Sequence, residues 1–98
     1  MANVISEEDY LRQYQILLER FQKFQADDPE NERFLRMGKN FKRLQNAYSR
    51  HPFFVVRQMR AIEKYHLVFQ GEQRSVMIEM VELLKKLLWE KKLSREKF

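Results

Sequence analysis

Apolar residues along this chain fall into four stripes with helical spacing. Tyr10, Tyr14, Leu17, Phe21 and Phe24 recur at intervals of 4, 3, 4 and 3, and Leu11 and Leu18 widen the stripe. Polar residues fill the gaps, which is the pattern of a core-facing bundle helix. Ser6 is its predicted N-cap, with Glu7, Glu8 and Asp9 in the first turn, where the helix dipole favours anions. The segment is expected to end near Gln25. Ala26-Asp27-Asp28-Pro29 reads as a stop and restart, with Asp28 capping a helix whose first position, Pro29, needs no N–H. Phe34, Met37, Phe41, Leu44 and Tyr48 then follow at 3, 4, 3 and 4. Gly38 either ends a short helix or admits another backbone. The unbroken phase from Met37 to Phe41 favours one helix with a weak point at the glycine.

His51-Pro52 makes the second break, because the residue before proline avoids the helical region. His51 is placed to favour the end of the preceding helix. From Pro52, the third helix aligns Val55, Met59, Ile62, His66 and Phe69. Phe54, Val56, Ala61, Tyr65, Leu67 and Val68 cover most of the remaining circumference, leaving Arg57, Arg60 and Lys64 as the polar sector. A helix apolar nearly all round is central, or covered by a second copy. Gly71 caps its end, or the last two segments run through it as one long helix. The last segment, about Gln73 to Leu93, carries Val76, Met80, Leu83 and Leu87, with Met77, Leu84 and Leu88 beside them. The expected fold is all-α: one domain over residues 1–98, an antiparallel bundle of about four amphipathic helices, frayed at 1–5 and 94–98.

Composition supports that picture. A chain of 98 residues builds one domain with a modest core, and 44% hydrophobic residues are too many for a disordered chain. With two Gly, two Pro and no Thr, a many-stranded β fold lacks its turns. The absence of cysteine removes disulfides, thiolate metal sites and thiol nucleophiles. Phe53-Phe54-Val55-Val56, the longest apolar run, is far short of the roughly 20 residues of a membrane span. The acidic start has no apolar stretch of signal-peptide length. A soluble, reducing, cytoplasmic setting is the expectation.

Charge changes the picture more. The formal net charge is +5, divided as −4 over residues 1–31, +7 over 32–71 and +2 over 72–98. Between Arg33 and Ile62 stand eight cations and no acid: Arg33, Arg36, Lys39, Lys42, Arg43, Arg50, Arg57 and Arg60. On a helical wheel Arg36, Lys39, Arg43 and Arg50 gather opposite the Phe34–Tyr48 stripe, with Lys42 at their flank, and Arg57 and Arg60 extend the patch. Exposed helices ordinarily mix signs at i,i+4, and like charges crowded together destabilise the folded state unless something negative lies against them. A nucleic acid, an acidic protein surface or the acidic first third of this chain would serve, and a plainly solvated face is the remaining reading. No helix-turn-helix, basic zipper or RNA-recognition pattern offers base-specific readout.

Ile78 and Trp89 fall outside the stripe of the last helix, eleven residues apart on one line, with Lys85 between them and Lys92 just beyond. Such a line marks a partner or self-association surface, unless the helix is buried on two sides. Membrane contact is not expected, since the four stripes can bury one another. His51 and His66 lack the further ligands of a metal site. Glu7-Glu8-Asp9 and Asp27-Asp28 sit at helix starts, where capping accounts for them. None of Ser6, Ser49, Ser75 and Ser94 lies in a nucleophile elbow, and Gly38-Lys39 lacks the rest of a phosphate loop. No enzyme, metal or cofactor is expected. The sequence reads as a non-enzymatic helical protein-interaction module, an adaptor or regulatory protein that self-associates. The alternative is a nucleic-acid-binding protein that uses the acid-free face of residues 33–60.

Overall fold

The computed structural model describes residues 5–96, with side chains described through residue 90. Four helices form: α1 (Glu7–Asp27), α2 (Glu32–Arg43), α3 (Pro52–Tyr65) and α4 (Gly71–Glu96), with a short 3-10 helix (Leu44–Ser49) after α2. They pack as an antiparallel, all-α bundle measuring 47 × 21 × 20 Å. Cross-bundle partners fix the directions. Tyr10 and Tyr14 of α1 meet Leu44 and Phe41, Arg20 meets Glu72 and Glu79 of α4, and His66 shares a groove with Ile78. In ring order α4 packs mainly on α1 and α3, while α2 packs on α1, the 3-10 helix and α3.

Ser6 caps α1 as its sequence predicts, its Oγ accepting the Asp9 N–H at 3.1 Å. The helix ends two residues past Gln25, and the restart differs from expectation. Asp28 is spent on ending α1: its N–H bonds the Phe24 carbonyl at 3.2 Å, and its carboxylate takes the Asn31 side-chain amide at 3.0 Å. Pro29 therefore lies in the turn. Asn31 caps α2 instead, its Oδ1 accepting the Arg33 N–H at 3.0 Å.

Gly38 does not interrupt α2. A Cβ there would run into the Gln25 amide of α1, whose Nε2 donates to the Phe34 carbonyl at 3.0 Å. The glycine admits a side chain rather than a backbone. The expected single helix through Tyr48 does not form. Its α geometry stops at Arg43 because the buried hydroxyls of Tyr10 and Tyr14 donate to the Leu44 and Phe41 carbonyls, both at 2.6 Å. With those acceptors engaged, the chain tightens into a 3-10 turn and still buries Leu44 and Ala47.

Pro52 opens α3 and His51 is its N-cap, with Nδ1 accepting the Phe53 N–H at 3.2 Å. His51 thus serves the following helix, not the preceding one. The third helix is also not central. It ends at Tyr65, and only Val55, Gln58 and Ile62 of it are buried. The central helix is α4, with Val76, Met77, Met80, Val81, Leu83, Leu84 and Leu87 in the core. The last two helices are not joined. Gly71 takes φ +58°, a left-handed conformation that suits glycine. The connection before it is stapled by Arg74, whose Nε reaches the Phe69 and His66 carbonyls at 2.8 and 3.1 Å. That staple holds Phe69 in the core, stacked on Phe34 with ring centroids 5.3 Å apart.

Of the ends expected to fray, Ile5 is buried and its carbonyl accepts the Tyr48 hydroxyl at 3.2 Å. Helix α4 continues past Leu93 to Glu96. Residues 1–4 and 97–98 lie outside the described residues.

Candidate interaction surfaces

The basic segment forms the outward side of α2 and α3. Burial of Phe34, Met37 and Phe41 turns Arg36, Lys39 and Arg43 to the opposite, exposed side of α2. Burial of Val55, Gln58 and Ile62 does the same for Arg57, Arg60 and Lys64 on α3. The helices run side by side, and Arg33 and Arg36 line a cavity of about 170 Å³ whose far wall is Tyr65. Arg50 is placed differently from the sequence wheel. It follows the 3-10 helix and lies over the Phe54 ring of α3, 4.5 Å from its centroid, which joins the two helices' cations into one surface.

The acids of the first third do not neutralise this surface. Among the described residues, Arg36, Lys39, Lys42, Arg43, Arg57 and Arg60 form no ion pair. Asp9 pairs with Arg12 on its own helix. Two acids of α4 turn to α1 instead: Arg20 bridges Glu72 and Glu79, at 2.7 Å to the latter. The Glu72 hydrogen bond raises the Arg20 pKa further above its ordinary value, so that guanidinium stays charged. The ion pairs therefore bind α1 to α4 and leave α2 and α3 cationic.

Ile78, Lys85 and Trp89 lie on the solvent side of α4, and Ile78 and Trp89 are each 45% exposed. The helix is therefore not buried on two sides. Glu82 joins the same line, its Oε1 3.5 Å from Lys85 Nζ. Ile78 and Lys85 also border a groove of about 320 Å³ between α3 and α4, with Val81, Glu63 and His66. A second groove of about 340 Å³, between α1 and α4, exposes Ile16 beside Glu79 and Lys86. The side chain of Lys92 lies outside the described residues.

Two residues escaped the sequence reading. Phe53 is 73% exposed, four residues before Arg57 and seven before Arg60, on the same line of α3. That spacing was the available signal, hidden because Phe53 begins the chain's longest apolar run. Gln58 is 6% exposed, and its Oε1 has no hydrogen-bond partner among the described residues. Its signal was weaker, a single polar residue three positions from Val55 and four from Ile62.

The buried hydroxyls of Tyr10 and Tyr14 are held by backbone carbonyls. Burial pushes the Tyr14 hydroxyl up to about 12 and the Tyr10 hydroxyl higher still, with Tyr14 adding to the effect at Tyr10. Both stay protonated as donors to backbone carbonyls. Among the described residues no three His, Cys, Asp or Glu side chains gather as metal ligands, and no helix is long and apolar enough to cross a membrane. Comparison with known protein families, curated proteins and solved structures finds no match to this chain.

Proposed function

We propose that this chain is a non-enzymatic helical interaction module, an adaptor or regulatory protein, whose α2–α3 face docks an acidic protein surface. One observation carries the reading. Among the described residues Arg36, Lys39, Arg43, Arg57 and Arg60 crowd neighbouring faces and form no ion pair, although the first 31 residues of the same short chain carry seven acids. A surface that stays uncompensated gains by meeting negative charge from outside. Phe53 supplies what cations alone lack, an exposed aromatic anchor beside arginines, and these are the residue types that dominate binding hot spots. A cysteine-free chain of this kind suits a reducing, cytoplasmic setting.

The same Phe53 favours a second reading, single-stranded nucleic acid, since a base can stack on the ring while Arg57, Arg60 and Lys64 follow the phosphates. Fluorescence titration with polyglutamate, labelled single-stranded RNA and labelled duplex DNA, each at two salt concentrations, separates the two. The docking reading expects polyglutamate to bind and an Arg57→Glu/Arg60→Glu variant to lose it. Tighter binding of single-stranded RNA, weakened by Phe53→Ala and falling steeply with salt, transfers the face to the second reading. Binding of none of the three at low salt, where electrostatics are strongest, refutes both.

A further inference from the structure

We propose that α4 is a self-recognition element: two copies of this chain pair antiparallel through Ile78, Glu82, Lys85 and Trp89, about a two-fold axis crossing α4 between residues 83 and 84. The proposal deepens the interaction-module reading but uses a different surface from the α2–α3 face.

The strip has a symmetry of its own. Its spacings are 4, 3 and 4, so the four side chains share one line of the helix and read the same from either end. The residue types match that symmetry. The outer positions, Ile78 and Trp89, are both apolar, and the inner positions, Glu82 and Lys85, carry opposite charges. Turning a second copy by 180° therefore sets Ile78 against Trp89 of the other copy and Glu82 against its Lys85, twice over. A parallel pairing would set Glu82 on Glu82 and Lys85 on Lys85. Charge thus selects the two-fold arrangement, in which one patch serves both subunits.

The surroundings fit such a contact. Ile78 stands in the wall of the α3–α4 groove with Val81 and His66, so the Trp89 ring of the second copy meets a recess rather than a flat surface. Half-exposed Ile16 lies in the groove on the other flank of α4. The intrachain Glu82–Lys85 contact is long, at 3.5 Å, and solvent-exposed. Such pairs contribute little where they are, and these two are available to re-pair across the axis. A face 47 Å long and 21 Å wide has room for the roughly 800 Å² per partner of a standard interface.

Sedimentation equilibrium of the full chain tests the pairing, with circular dichroism confirming that each variant stays helical. The wild type is expected to be dimeric. Glu82→Lys alone, or Lys85→Glu alone, sets like charges across the axis and raises the dissociation constant by about tenfold or more. The double exchange, Glu82→Lys with Lys85→Glu, restores the dimer. Register is read with single thiols, since the chain has no cysteine of its own. A mixture of Ile78→Cys and Trp89→Cys chains should form the mixed disulfide under mild oxidation, while Ile78→Cys alone should not, its two copies being about 16 Å apart along the helix. A wild type that remains monomeric at high concentration, a double exchange that fails to restore the dimer, or an Ile78→Cys chain that links to itself overturns the proposal. Binding of polyglutamate to the α2–α3 face is read separately, so either proposal can fail alone.

Discussion

Gln58→Met is expected to stabilise this protein, although it replaces a side chain deep in the native packing. Gln58 is 6% exposed and lies between the buried positions Val55 and Ile62 on the inner line of α3. Its amide oxygen is buried and has no hydrogen-bond partner among the described residues. An orphaned acceptor of this kind costs about 1–3 kcal/mol. Methionine has the same unbranched length, puts a weakly polar sulfur and a methyl where the amide stood, and adapts to irregular space. The variant is therefore expected to gain about 1–2 kcal/mol once imperfect packing is allowed for. For a domain of this length that raises Tm by roughly 4–8 °C per kcal/mol. Two companions bracket the interpretation. Gln58→Ala also removes the orphan but leaves a hole, so it should destabilise. Gln58→Glu places a charge where the neutral oxygen already lacks a partner, and should be the least stable of the set near neutral pH. Urea unfolding followed by circular dichroism, with equal m-values across the set, gives the comparison. A Gln58→Met protein no more stable than wild type would mean that the oxygen is satisfied in solution, and the reasoning would be wrong.

The tyrosine hydroxyls set an alkaline limit. Tyr10 and Tyr14 have folded pKa values above the ordinary 10, so above that pH the unfolded chain releases protons that the native state keeps. Their stabilising contribution should be complete below pH 10 and fall progressively as the pH climbs toward about 12, the value for Tyr14; ultraviolet titration should show two tyrosinates appearing only as helicity is lost, and their appearance in a fully helical protein would contradict this. Tyr10→Phe should cost about 1–2 kcal/mol in urea unfolding by leaving the buried Leu44 carbonyl short of a donor. Gly38→Ala should come out within about 1 kcal/mol of wild type, because alanine's better helix propensity is offset by pushing the flexible Gln25 amide off the Phe34 carbonyl; a loss well beyond about 1 kcal/mol in urea unfolding would show that Gln25 cannot move aside.

The helices were legible because their apolar spacing is nearly unbroken and buried area is what a bundle maximises. The errors have local causes. Asp28 and Asn31 are both good caps, and the choice between them depends on the Phe24 carbonyl, which no spacing rule sees. The early end of α2 depends on two hydroxyls from another helix, 27 and 34 residues away in sequence. The inner line of the third helix is legible at Val55, Ile62 and Phe69, with Met59 partly buried beside them. The buried Gln58 is not, because a glutamine runs against the apolar signal around it. Centrality is not legible because the apolar residues around α3 are not all buried: Leu67 and Val68 face solvent, and Phe54, Val56, Ala61 and Tyr65 are only partly covered. The candidate surfaces divide in the same way. That Ile78 and Trp89 would be exposed followed from their phase. That acids elsewhere would leave the basic segment alone did not, since it depends on Asp9 pairing with Arg12 and on Arg20 drawing Glu72 and Glu79 of α4 toward α1.

The two proposed surfaces constrain each other through the order of helices around the core. Because α4 packs on α1 and α3 while α2 packs on the far side of the ring, the strip of α4 and the cations of α2 point in different directions. Pairing through α4 would leave the α2 cations of each copy uncovered, because α2 packs across the ring from α4. Each set would remain open to an acidic partner. A two-fold dimer of this kind binds a partner that carries two acidic segments with an effective concentration set by the spacing between them. Disrupting the dimer with Glu82→Lys should therefore weaken binding of a two-segment acidic chain far more than binding of a single segment. Equal losses for the two ligands would show that the surfaces act independently.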